Sequence, residues 1–169
     1  MARGLNLGPA RVDELHRMAM MSRDQVEHGH VWRYTAARLW HERRRTDREL
    51  VVARDGERIA GFGLMQYKVE LAHLILLVVD RPYRRRGVAS AIMDWLELMA
   101  RNAGVFDIEL EVRAPNAGAQ AFYRARGYHP LMTMPGYYSH REDGIFMRAD
   151  LRQNIEPRTI GPPGLPAGE

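Results

Sequence analysis

The amino-acid sequence predicts one mixed α/β layer around a single core, and three observations carry that prediction. The first is a change of hydrophobic period: helix-like spacing up to about residue 44 gives way to short apolar runs from Glu49 onward. The second is "ELAHLILLVVD", an almost wholly apolar run that reads as a central strand covered on both faces. The third is "FDIELEVRA", in which Ile108, Leu110 and Val112 alternate with Glu109, Glu111 and Arg113. The resulting order is two helices, a hairpin with a buried strand, a helix, a strand, a helix and final strands. At 169 residues the chain suits one domain able to bury a real core.

From Ala10 to Met21, Val12, Leu15, Met18 and Ala19 recur at helical spacing. A second helix is expected over roughly Gly29 to Arg44, with Val31, Tyr34, Leu39 and Trp40 as apolar positions. "RDGER" between two apolar runs signals a hairpin. The buried run is followed by "RPYRRRGVASAIMDW" (81–95), a tight basic turn leading into a helix that starts at Val88 or Ala89. That helix carries Val88, Ile92, Trp95, Leu96 and Met99 on one stripe and ends near "RNAG". "PNAGAQAFYRARGY" is a short helix with Asn116 as N-cap and Gly127 as its C-terminal stop. Two final strands flank a predicted turn, "PGYYSHREDG". The domain is expected to span 1–155, followed by a Pro- and Gly-rich tail, 156–169, expected to be disordered. No internal repeat is found.

The composition narrows the function classes. With no cysteine there is no disulfide framework, no thiolate-held metal and no thiol nucleophile. His28, His30 and His41 are too loosely spaced, with too few carboxylates nearby, to argue for a metal. The N-terminus lacks the apolar core of a signal peptide and no apolar run approaches spanning length, so a cytoplasmic protein with no membrane partner is expected. The isoelectric point near 9.7 favours acidic partners, yet no nucleic-acid recognition motif is present and none is expected to bind. The basic run His41–Arg45 reads as the exposed end of a helix.

The second basic run is different, because it stands at the mouth of a helix, where positive charge is unfavourable. It is either a solvated turn or an anion site. Unpaired N–H groups in a helix's first turn favour a phosphate, Gly87 lets the backbone approach closely, and Ala89 and Ser90 leave clearance. The run is neither a Walker loop nor a dinucleotide fingerprint.

"R-R-R-G-V-A" at Arg84–Ala89 resembles the Q/R-x-x-G-x-G/A motif of the GCN5-related N-acetyltransferases. "EVRAPNAGAQAFYRARGY" is similar to a later motif of that superfamily, and most of all to that of the ribosomal-protein N-terminal alanine acetyltransferases. Glu111, Val112, Arg113, Asn116, Ala119, Tyr123, Gly127 and Tyr128 stand in step with it, followed by Tyr137–Tyr138 and "RED" at Arg141–Asp143. The resemblance covers about Glu70 to Met147 and is only general before that. It implies a single-domain GNAT fold, with a mixed, mostly antiparallel central sheet flanked by helices. It also implies acetyl-coenzyme A as co-substrate, no metal, and an amine acceptor, either a protein N-terminus or a small molecule, in a monomer or homodimer.

Acetyl transfer to an amine needs an uncharged amine, an oriented thioester carbonyl and a proton for the departing thiolate. An α-amine titrates near ~8 and a lysine near ~10.4, so either arrives largely protonated. The resemblance implies Glu111 as the base, acting directly or through water, and Tyr123 as the acid. Asn116, Ala119 and Tyr123 fall on one helical stripe. It further implies that the backbone of Leu77, Val78 and Val79 pairs with the pantetheine arm, and that Asn116 contacts the cofactor. The resemblance also implies that Arg85, Arg86, Gly87, Val88, Ala89 and Ser90 make the phosphate loop, with Arg84 either on phosphate or shaping the turn. Tyr137 and Tyr138 are implied to line the acceptor entrance. His73 reads as a structural histidine or as a secondary base on the substrate side. Two departures concern the acceptor half: only "SH" separates "YY" from "RED", and the N-terminal helices lack an "F-P-W" signature.

Overall fold

The sheet begins at β1 (Leu5–Pro9), a strand that hydropathy alone does not announce. The computed structural model describes residues 4–153, and the expected tail at 156–169 lies outside them. After a single 3₁₀ turn at Val12–Glu14 come helices α1 (Leu15–Gln25) and α2 (Ala36–Arg44). Strands β2 (Arg48–Asp55) and β3 (Arg58–Tyr67) form the expected hairpin, with Gly56 at φ 58° in its turn. Strand β4 (Leu71–Val79), helix α3 (Val88–Asn102), strand β5 (Asp107–Arg113) and helix α4 (Ala117–Ala125) follow. The chain closes its sheet with β6 (His129–Tyr138) and β7 (Glu142–Asp150). The seven strands run in the order β1-β2-β3-β4-β5-β7-β6. Every neighbouring pair is antiparallel except β4–β5.

Both faces of the sheet are covered, which is why β3 and β4 read as continuous apolar runs. On one side α3 and α4 enclose Val51, Ala53, Met65, Leu74, Ile92, Leu96, Leu110 and Met147. On the other, α1 and α2 cover Leu50, Val52, Phe62, Leu64, Leu76 and Val78. Helix α3 lies so close to β3 that a Cβ at Gly63 would meet Ile92 Cγ2 at 2.7 Å and Leu96 Cδ1 at 2.9 Å. The glycines of "AGFGL" are therefore helix-docking positions.

Two features of β4 shape the site. Its parallel ladder with β5 covers only Leu71–Leu74 against Asp107–Leu110. Beyond that point the two strands part company. The pairing of β4 with β3 also shifts between Leu64 and Met65, leaving Ile75 as an extra residue. Before this bulge Ala72 and Leu74 face α3; after it Leu76 and Val78 face α1 and α2. A bulge that re-aims side chains is common beside functional sites.

Several sequence expectations need correction. The first helix starts later than Ala10 and runs to Gln25, and Val12 is exposed rather than core. The second helix is confined to Ala36–Arg44, where Thr35 Oγ1 accepts the Arg38 N–H as N-cap. Residues 26–35 are not helical, because the buried Glu27 carboxylate takes the N–H groups of Arg33 at 2.6 Å and Tyr34 at 3.3 Å. Val31 is consequently exposed. The predicted turn "PGYYSHREDG" shrinks to Ser139–Arg141, with Tyr137 and Tyr138 inside β6 rather than in a loop. Among the described residues, no helix is long and apolar enough to cross a membrane.

Candidate active site

Where β4 and β5 separate, a cavity of about 670 Å³ opens. Its walls come from β4 (His73 to Val79), β5 (Leu110 to Arg113), the inner face of α4, the segment after α1, and the tip of β6. The splay exposes one backbone edge of β4 from Ile75 to Val79, because its other edge alone pairs, with β3. That edge includes Leu77, Val78 and Val79, and the Val78 side chain itself is buried in the core.

At one end of the cavity stands the basic turn. Asp80 caps a short 3₁₀ turn at Arg81–Tyr83, and the chain then enters α3 through Arg85 at φ 62° and Gly87 at φ 80°. No side chain caps α3. The backbone N–H groups from Arg85 to Ser90 have no partner among the described residues. Arg85 and Arg86 make no ion pair among the described residues either. Arg84 donates to Gln25 Oε1 at 3.0 Å and so joins the turn to α1. Of this loop, Arg84 and Ala89 line the cavity wall; Val88 offers only its N–H, since its side chain is core. A row of unmet donors with unpaired guanidiniums beside it has the chemistry to receive a multiply charged anion.

Helix α4 presents Asn116, Ala119 and Tyr123 to the same cavity. Asn116 does two jobs: its Oδ1 caps α4 by accepting the Ala119 N–H at 3.1 Å, while its amide nitrogen has no partner among the described residues. Tyr123 is 8% exposed and held edge-on between Phe122 and Tyr128. Its hydroxyl makes no hydrogen bond among the described residues. Burial, with Tyr138 adding to it, pushes the phenol well above its ordinary value, so it stays protonated and available as a donor.

Glu111 lies just past the end of the β4–β5 ladder, on the polar side of β5, as the alternation requires. Its Oε2 is 2.7 Å from His73 Nε2. His73 sits before the bulge, faces the same side of the sheet and is a direct partner of Glu111. Tyr137 is 47% exposed at the rim, whereas Tyr138 is largely buried. Burial first, then the neighbouring Glu111, raises both phenols.

The cavity also uses residues that sequence reading missed: Gln25 at the end of α1, Glu27, His30, Arg33 and Tyr34 on the segment after it, and Ser139 at the β6–β7 turn. A signal existed in "EHGHVWRYT", where Gly29 (φ 81°) and the N-cap Thr35 break a helix. No group of three His, Asp or Glu side chains among the described residues is placed to hold a metal ion.

Three relatives give this geometry its context. A catalytic subunit of the N-terminal acetyltransferase B complex, naa20 of Schizosaccharomyces pombe, is 35% identical over 92 residues, 52% of this chain and 51% of that one. The ribosomal protein bS18-alanine N-acetyltransferase of Escherichia coli is 34% identical over 93 residues, 53% of this chain and 63% of its own length. The matched segment thus spans roughly half to two thirds of these relatives. A solved ribosomal-protein-S18-alanine N-acetyltransferase from Escherichia coli superposes with a TM-score of 0.74 at 25% identity, covering 87% of this chain and 94% of that one. Arabidopsis thaliana NAA60, solved in complex with acetyl-CoA, shares the fold at a TM-score of 0.76 and 17% identity, covering 88% and 99%. The model of the acetyltransferase (GNAT) family matches residues 12–128. With that match and this sheet, the chain belongs to the acetyltransferase (GNAT) family.

Proposed function

We propose that the chain transfers an acetyl group from acetyl-coenzyme A to a primary amine, most specifically the α-amine of a protein N-terminus. One observation carries the reading: Glu111 and Tyr123 line a single cavity at the splay of β4 and β5, and a loop of unmet N–H donors borders its end. The residues present fit the cofactor. Arg85 to Ser90 would hold the pyrophosphate, the free edge of Leu77 to Val79 the amide arm, and the unengaged Asn116 amide a carbonyl of that arm. When bound, acetyl-coenzyme A supplies an activated thioester.

The chain's own residues then move two protons. Glu111 accepts one from the incoming ammonium, directly or through a water, and leaves a neutral amine. The 2.7 Å contact with His73 fixes the carboxylate's orientation and offers a second site for that proton. As the C–N bond forms and the C–S bond breaks, Tyr123 donates its phenolic proton to the departing sulfur and is reprotonated by the proton that the acylated nitrogen sheds, a role that burial suits because the phenol is held protonated. Direct attack needs no nucleophilic side chain, consistent with the absence of cysteine.

The N-terminal acceptor draws support from the activities by which the two aligned relatives are named. The same chemistry on a small-molecule amine or a lysine is the nearest alternative. A thiol-release assay against N-terminal peptides, polyamines and free amino acids separates them. Turnover of peptides with free α-amines supports the proposal; turnover confined to polyamines or free amino acids moves the enzyme to the alternative. No release with any amine defeats both.

A further inference from the structure

A polar cluster at the rim of the cavity has no part in the proton transfers above. His30, on the segment between α1 and α2, reaches across to the β6–β7 turn, 109 residues away in sequence. Its Nδ1 lies 3.1 Å from Ser139 Oγ and its Nε2 lies 3.6 Å from Glu142 Oε2. Its ring meets that of Tyr138 edge-on at 6.1 Å. Arg113, at the end of β5, reinforces the same crossing. It donates to the Val26 carbonyl at 2.6 Å, approaches the same Glu142 Oε2 at 3.6 Å, and lies 5.7 Å from the Tyr138 ring centroid. The His30 side chain is only 9% exposed, so this is no surface pair.

The turn that His30 reaches is strained. Ser139 and His140 have φ of 53° and 56°, a left-handed conformation that side chains other than glycine seldom adopt. Such a pair persists only where surrounding contacts over-determine it. The reason is the short connection seen in the sequence: only Ser139, His140 and Arg141 join β6 to β7. The Ser139–His30 contact is a side-chain tie from outside the hairpin, and Tyr137 and Tyr138 immediately precede it. Glu142 Oε2 is buried and accepts no hydrogen bond among the described residues, although two nitrogens stand at 3.6 Å. A small closing movement would satisfy it.

We propose that His30 is a positioning residue for the acceptor: with Ser139 and Glu142 it clasps the segment at 26–35 to the β6–β7 turn and so holds Tyr137 and Tyr138 as the acceptor wall. The inference rests on the acetyltransferase reading for there being an acceptor, but on no particular amine. Among the described residues His30 makes no hydrogen bond, ion pair or ring contact with the cofactor loop or with Tyr123. The clasp therefore governs how an acceptor is held and leaves cofactor binding alone.

The test uses the full chain and the best amine that the wild type turns over in the panel. His30→Ala should raise the acceptor KM by about five- to thirtyfold, the equivalent of one or two lost contacts. Affinity for acetyl-coenzyme A, read by calorimetry, should be unchanged and kcat should move far less than KM. His30→Asn, whose amide can keep a bond to Ser139, should recover much of the loss. Ser139→Ala should also raise KM, and the double variant His30→Ala/Ser139→Ala should be no worse than His30→Ala alone. An unchanged acceptor KM, additive single effects, or a parallel loss of cofactor affinity would overturn the proposal. If His30→Ala does not fold, Ser139→Ala and Glu142→Gln carry the same KM criterion. Turnover of polyamines but not peptides would defeat the N-terminal reading and leave this test in force on the polyamine. A wild type that acetylates nothing overturns both.

Discussion

The end of the cavity proposed to take the cofactor and the end proposed to take the acceptor are built by different means. At the cofactor end, consecutive residues do the work: Arg85 to Ser90 present unmet N–H groups, and Leu77 to Val79 present a free strand edge. At the acceptor end, side chains from five places in the chain converge: Glu27 and His30 after α1, His73 on β4, Glu111 and Arg113 on β5, Tyr138 on β6 and Glu142 on β7. A ligand common to a whole family can be gripped by backbone, which a short motif specifies. An acceptor that varies between members needs side chains, and these meet only once the sheet and helices have assembled. The two ends should therefore respond to substitution in separable ways.

The largest effect is expected where the two ends meet. Glu111→Gln should lower turnover at pH 7 by about 10²- to 10⁴-fold, the range for loss of a general base, with cofactor affinity intact. The loss should shrink at pH 9, where more of the amine is already neutral; an equal loss at both would make Glu111 a structural partner of His73. Tyr123→Phe should cost about 10²-fold in turnover, again without weakening the cofactor. Because burial raises the Tyr123 phenol above its ordinary 10.0, the acid form persists through pH 9, and wild-type activity should show no alkaline fall below that value. A fall centred well below pH 10 that vanishes in Tyr123→Phe would contradict that assignment.

The next effect belongs to the cofactor end alone. Arg85→Ala should weaken acetyl-coenzyme A by about tenfold, the scale of one charge-assisted hydrogen bond, as measured by calorimetry. The acceptor KM should not follow. Gly87→Trp would combine a bulky side chain with a φ of 80°, and binding should suffer more.

A smaller prediction concerns the scaffold behind the acceptor end. Burial alone would raise the Glu42 carboxyl, but hydrogen bonds from Arg48 and Arg38 more than offset it and hold it below its ordinary 4.5. Arg54 does the same for Glu14. A carboxyl depressed in the folded state contributes stability above its unfolded value and loses that contribution as pH falls through the folded one. Thermal midpoints should therefore be level above about pH 4.5 and decline below it, and Glu42→Gln should flatten that decline. The smallest effect is Asn116→Ala. Loss of the α4 cap should cost about 1 kcal/mol in denaturant unfolding. A drop in cofactor affinity alongside it would show that the free amide also binds.

How far the sequence could be read follows the same division. The alternation of Ile108, Leu110 and Val112 placed Glu111 on the polar side of β5, and "RRRGVASAI" marked the basic turn and a start of α3 at Val88 or Ala89, which the structure has at Val88. Asn116 announced α4, and the Asp-Gly signal announced the β2–β3 turn. The segment 26–35 misled, because its apolar residues mimic helical spacing while the buried Glu27 carboxylate ties the backbone into a non-helical loop. "PGYY" misled for the opposite reason: Pro and Gly suggest a turn, yet pairing with β7 carries β6 through to Tyr138.

The sequence by itself determined the family, the order of strands and helices that follows β1, the basic turn that opens α3 and the stripe of Asn116, Ala119 and Tyr123. Each of these is encoded by neighbours in the chain, through hydrophobic period, glycine, or capping. Only the tertiary structure decided where β4 and β5 part, that His73 meets Glu111, and that His30 closes on a strained turn more than a hundred residues away. Those contacts depend on register, on the bulge at Ile75, and on the packing of both helical layers, and none of these leaves a local trace.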